Sequence, residues 1–187
     1  FAGRGYATAK IPNAIDLDRF PPRPRRAPFL RFLCTRSLEP GYDIATAIRA
    51  FGLILSAEPR AVLTIVGGGS EAEALRRLVR ELNLEDRVRL VGSVPHREIA
   101  RFYRAADVYL NPAVIDNQPL SVLEAMAAGL FVVSTEVGDL RDLIGEGRGG
   151  VLVAPGSPAA MAAAAGRVIH DGPRFAAATE AARTALL

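Results

Sequence analysis

The stretch that decides the fold is residues 107–135, DVYLNPAVIDNQPLSVLEAMAAGLFVVST. It begins with the apolar run DVYLN (107–111) and ends with LFVVST (130–135), and both runs have the length of a strand. Residues 119–128 between them are almost continuously apolar and have the length of a helix, with Pro119 suited to its first position. A strand, a helix and a second strand in this order predict a right-handed crossover that joins two parallel strands.

The same alternation continues on both sides of this unit. We predict further strands at 29–35, 61–66, 87–92 and 150–154, and helices near 43–57, 70–82 and 96–105, with two more after residue 157. This order predicts an α/β domain with a doubly wound, Rossmann-like parallel sheet covered by helices on both faces. Residues 29–187 form that domain, while the proline-rich and arginine-rich segment 1–28 is interpreted as a solvated interdomain linker rather than a phosphate-binding surface.

The composition is typical of an ordinary soluble globular protein, because half of the 187 residues are hydrophobic and 23% are charged. A formal net charge of +3 does not indicate nucleic acid or another strongly anionic partner. No apolar run approaches the roughly 20 residues that span a bilayer, and the N-terminal FAGRGYATAK lacks the signal-peptide pattern. The single cysteine, Cys34, lies in an apolar run, which is typical of a buried core thiol in a cytoplasmic protein.

A doubly wound sheet binds its ligands beyond the carboxyl ends of the strands. The segments that leave those ends are 35–37, 67–69, 92–94, 111–119 and 134–136. Arg36 follows the first predicted strand directly, and a guanidinium there can bind a diphosphate through two parallel hydrogen bonds. The alternative is an exposed arginine that pairs with Glu39.

The sequence GGGSEA at 67–72 matches the dinucleotide-binding pattern G-x-G-x-x-A. An NAD site would also need an acidic residue at the end of the next strand, and that strand ends in Gly92 and Ser93. We therefore disfavour a dehydrogenase. The triplet is interpreted as a tight turn at which a ligand approaches the backbone, with a purely structural turn as the alternative.

Glu124 is the only ionisable residue in the predicted helix 119–128, and no lysine or arginine lies three or four residues away to pair with it. A buried carboxylate without a partner is costly, so it must accept hydrogen bonds from another group. Near the start of a helix that faces the ligand edge, free amides at Leu120 and Ser121 can bind phosphate, and the carboxylate can accept ribose hydroxyls. A carboxylate satisfied by loop amides alone is the alternative. Asp116 lies in the loop that leads into the same helix.

Other chemistries lack their motifs. His96 and His170 have no cysteine partner and are interpreted as surface residues, so no metal site is predicted. Neither the G-x-S-x-G elbow of hydrolases nor the P-loop of phosphate-transferring enzymes occurs in the chain.

Together, several segments resemble the retaining glycosyltransferases of the GT-B fold, the family that includes sucrose synthase-like and glycogen synthase-like enzymes. The segments are IPNAIDLDRF (11–20), LTIVGGGSEAEAL (63–75), LNLEDRVRLVGSVPHREIARFYRAADVYLNP (82–112) and DNQPLSVLEAMAAGLFVVSTEVGDLRDLI (116–144). The resemblance implies the C-terminal half of a GT-B fold, which binds a nucleotide-diphosphate sugar as donor substrate without a metal ion or other cofactor.

In that family two acidic residues separated by seven others flank the donor site, and Asp116 and Glu124 stand at this spacing. The resemblance implies that Glu124 holds the ribose and that Asp116 contacts the transferred sugar. Arg36 and the loop amides would neutralise the departing diphosphate. The residues implied to line the donor site are Gly67, Gly68, Gly69, Gly92, Ser93, Val94, Asn117, Leu120 and Ser121.

The chain departs from the family pattern at three places. Asp116 stands where glutamate is usual, Gly41 stands where a lysine is frequent, and Gly138-Asp139 replaces a pair of glycines after the fifth strand. The missing lysine keeps open a non-catalytic nucleotide-sugar-binding or partner-binding module, and a GT-B sugar-nucleotide epimerase is a further alternative.

The resemblance also implies an N-terminal α/β domain that binds the acceptor and is missing from this chain. We therefore expect a separated, cytoplasmic donor domain that does not transfer sugar by itself. Any contact with the inner face of a membrane would be made through the missing half.

Overall fold

The computed structural model describes residues 13–144 and 149–186. Six strands form one sheet in the order β3-β2-β1-β4-β5-β6, and every neighbouring pair is parallel. The strands are β1 Arg31–Thr35, β2 Val62–Val66, β3 Val88–Gly92, β4 Val108–Asn111, β5 Phe131–Thr135 and β6 Gly150–Val153. The predicted doubly wound sheet is confirmed, and each predicted strand is present.

Seven helices lie between and after these strands in the described part of the chain. They are α1 Ile44–Ala57, α2 Ala72–Glu81, α3 Ala100–Ala105, α4 Leu120–Ala127, α5 Leu140–Ile144, α6 Pro158–Ile169 and α7 Gly172–Thr184. The helix predicted over 96–105 is shorter than expected, because residues 96–98 form a separate 3-10 turn. The short helix α5 was not predicted from the sequence. Pro119 directly precedes α4 rather than opening it.

The position of the sheet's centre determines where a ligand can bind. β1 and β4 are neighbours, and the chain winds outward from them in opposite directions. The loops that leave their carboxyl ends therefore diverge and leave a crevice between them, which is the usual ligand site of doubly wound sheets. Residues 36–43 and 112–119 form these two loops.

Two apolar clusters cover the two faces of the sheet. Phe32 and Cys34 of β1 pack with α1, α2 and α6 on one face, while Leu33 packs with α3 and α4 on the other. α1 buries Ile44, Ile48 and Phe51 in this way, and Asp43 caps its first turn by accepting from the Thr46 amide. Burial raises the pKa of the Cys34 thiol to about 12, so the thiol stays protonated, as predicted for a core cysteine.

The prediction that residues 1–28 form a solvated connector is wrong at Arg25. Its side chain is 2% exposed, and its guanidinium donates hydrogen bonds to carbonyls where α3 and α4 end. The acceptors are the carbonyl oxygens of Tyr103, Ala106, Ala128 and Gly129. The last carbonyls of a helix have no hydrogen-bond partner within the helix, so they attract a cation. The sequence pattern does not show that Arg25 is this cation. Residues 1–12 of the predicted linker lie outside the described residues.

Three arginines surround the buried carboxylate of Asp107 at the start of β4. Arg31 binds it through two nitrogens, at 2.8 Å and 3.0 Å, and Arg23 lies 3.1 Å away. Burial, and then the neighbouring charge of Arg23, lowers the pKa of the Arg25 guanidinium to about 10, which still leaves it charged at neutral pH. Residues 23–31 are thus fixed to the domain by a shared ionic cluster.

Candidate functional site

Arg36 leaves the end of β1 and lies in the crevice between β1 and β4. Its side chain is 9% exposed. One terminal nitrogen pairs with the Asp116 carboxylate, the other donates to Ser121 Oγ at 3.0 Å, and the guanidinium lies 4.1 Å from the centre of the Tyr42 ring. Its Nε is buried and has no hydrogen-bond partner among the described residues. The guanidinium is therefore held in place and keeps one donor for another acceptor.

The alternative pairing of Arg36 with Glu39 is wrong. The Glu39 carboxylate accepts hydrogen bonds from the amide and the hydroxyl of Ser70, at 2.9 Å and 2.5 Å. It therefore ties the loop after β1 to the start of α2.

Asp116 is held by its own loop and by the loop after β5. One carboxylate oxygen accepts from the Asn117 amide at 2.8 Å, and the other pairs with Arg36. The Asp139 amide donates to the Asn117 carbonyl at 2.9 Å. Gly138 lies directly against this loop with a φ of 54°, and a Cβ there would overlap the Asp116 carbonyl oxygen. Gly138 therefore lets the two loops approach closely.

Gly138→Ala is expected to displace the Asp116 loop and lower the melting temperature by roughly 4–8 °C, because a backbone clash is added to the strain of a positive φ. Circular dichroism measures the transition. Gly156→Ala is the matched control, since Gly156 has a φ of 67° and its Cβ would meet nothing within 4 Å. A loss no larger than that of the control would contradict the packing role of Gly138.

Glu124 lies in the second turn of α4 and is 7% exposed. Its Oε2 accepts a hydrogen bond from the Tyr103 hydroxyl at 2.7 Å, and its Oε1 lies 2.9 Å from His96 Nε2. The expectation that this carboxylate accepts hydrogen bonds from outside its helix is confirmed. The alternative, satisfaction by loop amides alone, is wrong, because the partners are two side chains.

Sequence reasoning missed both partners of Glu124. The His96 side chain is 66% exposed, as expected of a surface residue, yet its ring contacts Glu124 on one nitrogen and Arg19 on the other, at 3.0 Å. Tyr103 is fully buried in α3. A tyrosine on the apolar face of a helix needs a polar partner for its hydroxyl, and this was the available signal.

The glycine triplet 67–69 packs closely against the loops that follow β1 and β3. A Cβ on Gly67 would overlap the Arg36 carbonyl, one on Gly68 would overlap Ser93 Oγ, and one on Gly69 would lie 2.6 Å from the Leu38 carbonyl carbon. This crowding accounts for three small residues in a row and supports the purely structural turn. Contact of the triplet with a donor stays a prediction.

The other predicted lining residues border the same edge of the sheet. Gly92 accepts from the Gly67 amide at 3.0 Å through its carbonyl oxygen, Ser93 is exposed, and Val94 packs against the second apolar cluster. α4 begins at Leu120 without a side-chain cap. The first amides of such a helix are available to an anion.

An open cleft of about 530 Å³ lies beside Asp116. Its lining residues are Asn13, Tyr42, Ile115, Asp116, Asn117, Gln118 and Asp139. A larger cleft, of about 660 Å³, is lined mainly by apolar side chains of α1 and by residues at the end of α2, and it contains none of the predicted site residues. Of the predicted site residues, Asp116 and Asn117 line the smaller cleft.

The described ranges 13–144 and 149–186 contain neither a metal-binding cluster nor a membrane-spanning helix. They contain no group of three or more histidine, cysteine, aspartate or glutamate residues that could hold a metal ion. None of their helices combines the length and hydropathy needed to cross a membrane.

Comparison with known protein families matches residues 30–171 to the glycosyl transferases group 1. The chain belongs to this family. Among curated relatives, the D-inositol 3-phosphate glycosyltransferase 2 of Catenulispora acidiphila is 32% identical over 180 residues, which cover 87% of this chain and 42% of the relative. The chain spans less than half the length of the curated relatives it matches.

Solved structures of group 1 and related glycosyltransferases share the fold. HepE of Anabaena, solved in complex with UDP-glucose, superposes with a TM-score of 0.80 at 21% identity, over 92% of this chain and 50% of HepE. The C-terminal domain of a glycosyl transferase group 1 family protein, LpcC of Francisella tularensis, superposes with a TM-score of 0.79 at 19% identity, over 92% of this chain and 96% of that domain. The predicted Rossmann-like half of a GT-B fold is confirmed.

Proposed function

We propose that this chain is the donor-binding domain of a retaining glycosyltransferase and binds a nucleoside diphosphate sugar at the carboxyl edge of its sheet. The observation that carries the proposal is that Arg36 contacts both Asp116 and Ser121, and that Ser121 lies one turn before Glu124 on α4. HepE, which shares the fold, was solved with UDP-glucose and supports this ligand class. In the whole protein we expect a second domain that binds the acceptor, and a cytoplasmic location.

Each charged group has a role that follows from its position. Donor binding exchanges the Arg36–Asp116 pair for phosphate oxygens on the guanidinium, and the unpaired Nε of Arg36 adds a donor for them. This exchange frees the Asp116 carboxylate for hydroxyl groups of the sugar. Glu124, deeper on α4, accepts hydroxyl groups of the ribose.

The reaction follows from the same arrangement. The sugar leaves the diphosphate and forms a bond to the acceptor, and negative charge develops on the diphosphate as its bond to the sugar breaks. Arg36 and the first amides of α4 stabilise that charge in place, without reorganising during the reaction.

Calorimetric titration with UDP, GDP and ADP tests the proposal directly. The chain can be tested alone, because the LpcC domain of nearly the same extent was solved as a separate domain. We expect one of the three diphosphates to bind, and Arg36→Ala to weaken it by about tenfold or more, since hydrogen bonds between charged groups contribute about 1.5–3 kcal/mol. Failure of all three to bind would contradict the proposal.

The second candidate is a non-catalytic module of the same fold, and Gly41 is the observation in its favour. The family often has a lysine at this position, so a phosphate contact of the enzymes is absent here. Sugar transfer by the full-length protein, with transfer abolished by Asp116→Ala, distinguishes the enzyme from the module.

Gly41→Lys is expected to tighten diphosphate binding. A Cβ at Gly41 would meet nothing within 4 Å, and the Gly41 carbonyl accepts from the amides of Val114 and Ile115, beside Asp116. An added ammonium should raise affinity about three- to tenfold at low salt, with the gain lost as salt screens it. Gly41→Gln is the uncharged control, and a gain equal to that of the control would contradict a phosphate contact.

A further inference from the structure

A chain of hydroxyl groups leads from the centre of the sheet to Glu124. The Tyr109 hydroxyl lies 3.2 Å from Thr35 Oγ1, and Thr35 Oγ1 lies 2.5 Å from the Tyr103 hydroxyl. The Tyr103 hydroxyl in turn lies 2.7 Å from Glu124 Oε2 and 3.2 Å from the Ser121 carbonyl oxygen. β1, α3, β4 and α4 thus meet at Tyr103, which touches Glu124.

Tyr103 can act toward Glu124 only as a donor. A phenol has one hydrogen, and the carboxylate is its closest acceptor without a hydrogen of its own, so the Thr35 hydroxyl donates to Tyr103. Burial, and then the neighbouring Tyr109, raises the pKa of Tyr103 well above its ordinary value. The hydroxyl therefore keeps its hydrogen throughout the physiological pH range.

The two oxygens of Glu124 have different surroundings. Oε2 faces inward to the buried Tyr103, whereas Oε1 lies at the exposed ring of His96. The carboxylate is thus anchored by a buried tyrosine on its inner side and by an exposed histidine ring on its outer side. A glutamate has several rotatable bonds, and the inner hydrogen bond restricts them to one arrangement.

We propose that Tyr103 is a positioning residue, whose hydroxyl holds Glu124 in the orientation that accepts the ribose hydroxyls of the donor. This inference rests on the proposed function. Tyr103 does not touch the donor in this proposal, and it acts only through the carboxylate.

Tyr103 also has a packing role, which the test must separate from the positioning role. Its ring contacts Phe20 edge-on, with 5.5 Å between ring centres, and stacks on Tyr109 at 5.9 Å. Tyr103→Phe keeps the ring and removes only the hydroxyl. Thr46→Val is the control, because it removes a buried hydroxyl from α1, which packs on the face of the sheet opposite to α3 and α4.

The experiment compares two ligands by calorimetry, namely the diphosphate that binds most tightly among UDP, GDP and ADP and its 2′,3′-dideoxy counterpart. The original chain should prefer the ribose form by about tenfold or more, because only that form offers hydroxyls to Glu124. Tyr103→Phe should lose about tenfold for the ribose form and stay within about twofold for the dideoxy form. Thr46→Val should keep the preference of the original chain.

Equal weakening of both ligands in Tyr103→Phe, or an unchanged preference, would overturn the positioning role. If Tyr103→Phe does not fold, Thr35→Val removes the hydroxyl that orients Tyr103, and it should lower the ribose preference by about threefold. An unchanged preference in that variant would equally overturn the inference. If the unsubstituted chain binds none of the diphosphates, the proposed function itself is overturned. If Tyr103→Phe keeps the preference for the ribose form, only the role of Tyr103 is overturned.

Discussion

Glu124→Ala should weaken binding of the nucleoside diphosphate by about thirtyfold or more while the chain stays folded. Two hydrogen bonds from ribose hydroxyls to a carboxylate contribute roughly 2–4 kcal/mol together, which corresponds to this loss or a larger one. The fold should survive because alanine favours a helix and the variant no longer buries a charge. The Tyr103 hydroxyl keeps the Ser121 carbonyl as an acceptor, at 3.2 Å.

Calorimetry measures the affinity, and circular dichroism verifies the fold. Glu98→Ala is the matched control, because Glu98 lies two residues from His96 and pairs with Arg101 at 3.1 Å on the surface. We expect this control to change affinity by less than about twofold, as exposed ion pairs contribute little. Unchanged binding in Glu124→Ala would remove Glu124 from the donor site.

Asp107→Ala should cause the largest loss of stability, about 3–5 kcal/mol, because removing one partner of a buried ion pair leaves the other charge uncompensated. Arg25, whose guanidinium lies 3.8 Å from Asp107 with 2% of its side chain exposed, would be left without a counterion. Arg31 is half-exposed and contributes less, because water can replace its partner.

The measurement is the midpoint of urea unfolding, together with a melting temperature that should fall by roughly 6–20 °C. Glu73→Ala is the control, since Glu73 pairs with Arg76 at 2.8 Å on the surface and exposed ion pairs contribute little to stability. Equal effects of the two substitutions would show that residues 23–31 are not fixed to the domain by Asp107.

The part of the candidate site that lies within one short stretch of the chain was predictable from the sequence. Asp116 and Glu124 lie in one loop and the helix that follows, and the resemblance to the glycosyltransferases paired them through their spacing. Arg36 was predictable because a residue after the first strand of a doubly wound sheet lies at the switch point. The Arg36–Asp116 contact joins residues on neighbouring loops, and it follows from β1 and β4 being adjacent.

Other parts of the site depend on distant residues. Tyr103 and His96 precede Glu124 by 21 and 28 residues. Arg25 reaches the Ala128 carbonyl across 103 residues. A periodic apolar pattern reports that a residue is buried, but it does not report which polar group faces it.

The sequence by itself determined the strands, most of the helices, the parallel sheet and the edge at which a ligand is predicted to bind, because these follow from local periodicity and from the handedness of crossovers. Only the tertiary structure decided that Arg36 is held by Asp116, that Glu124 is anchored by Tyr103, and that Arg25 is buried. Hydrogen bonds and ion pairs are short and directional, so their partners are known only once the helices and loops are packed around the sheet.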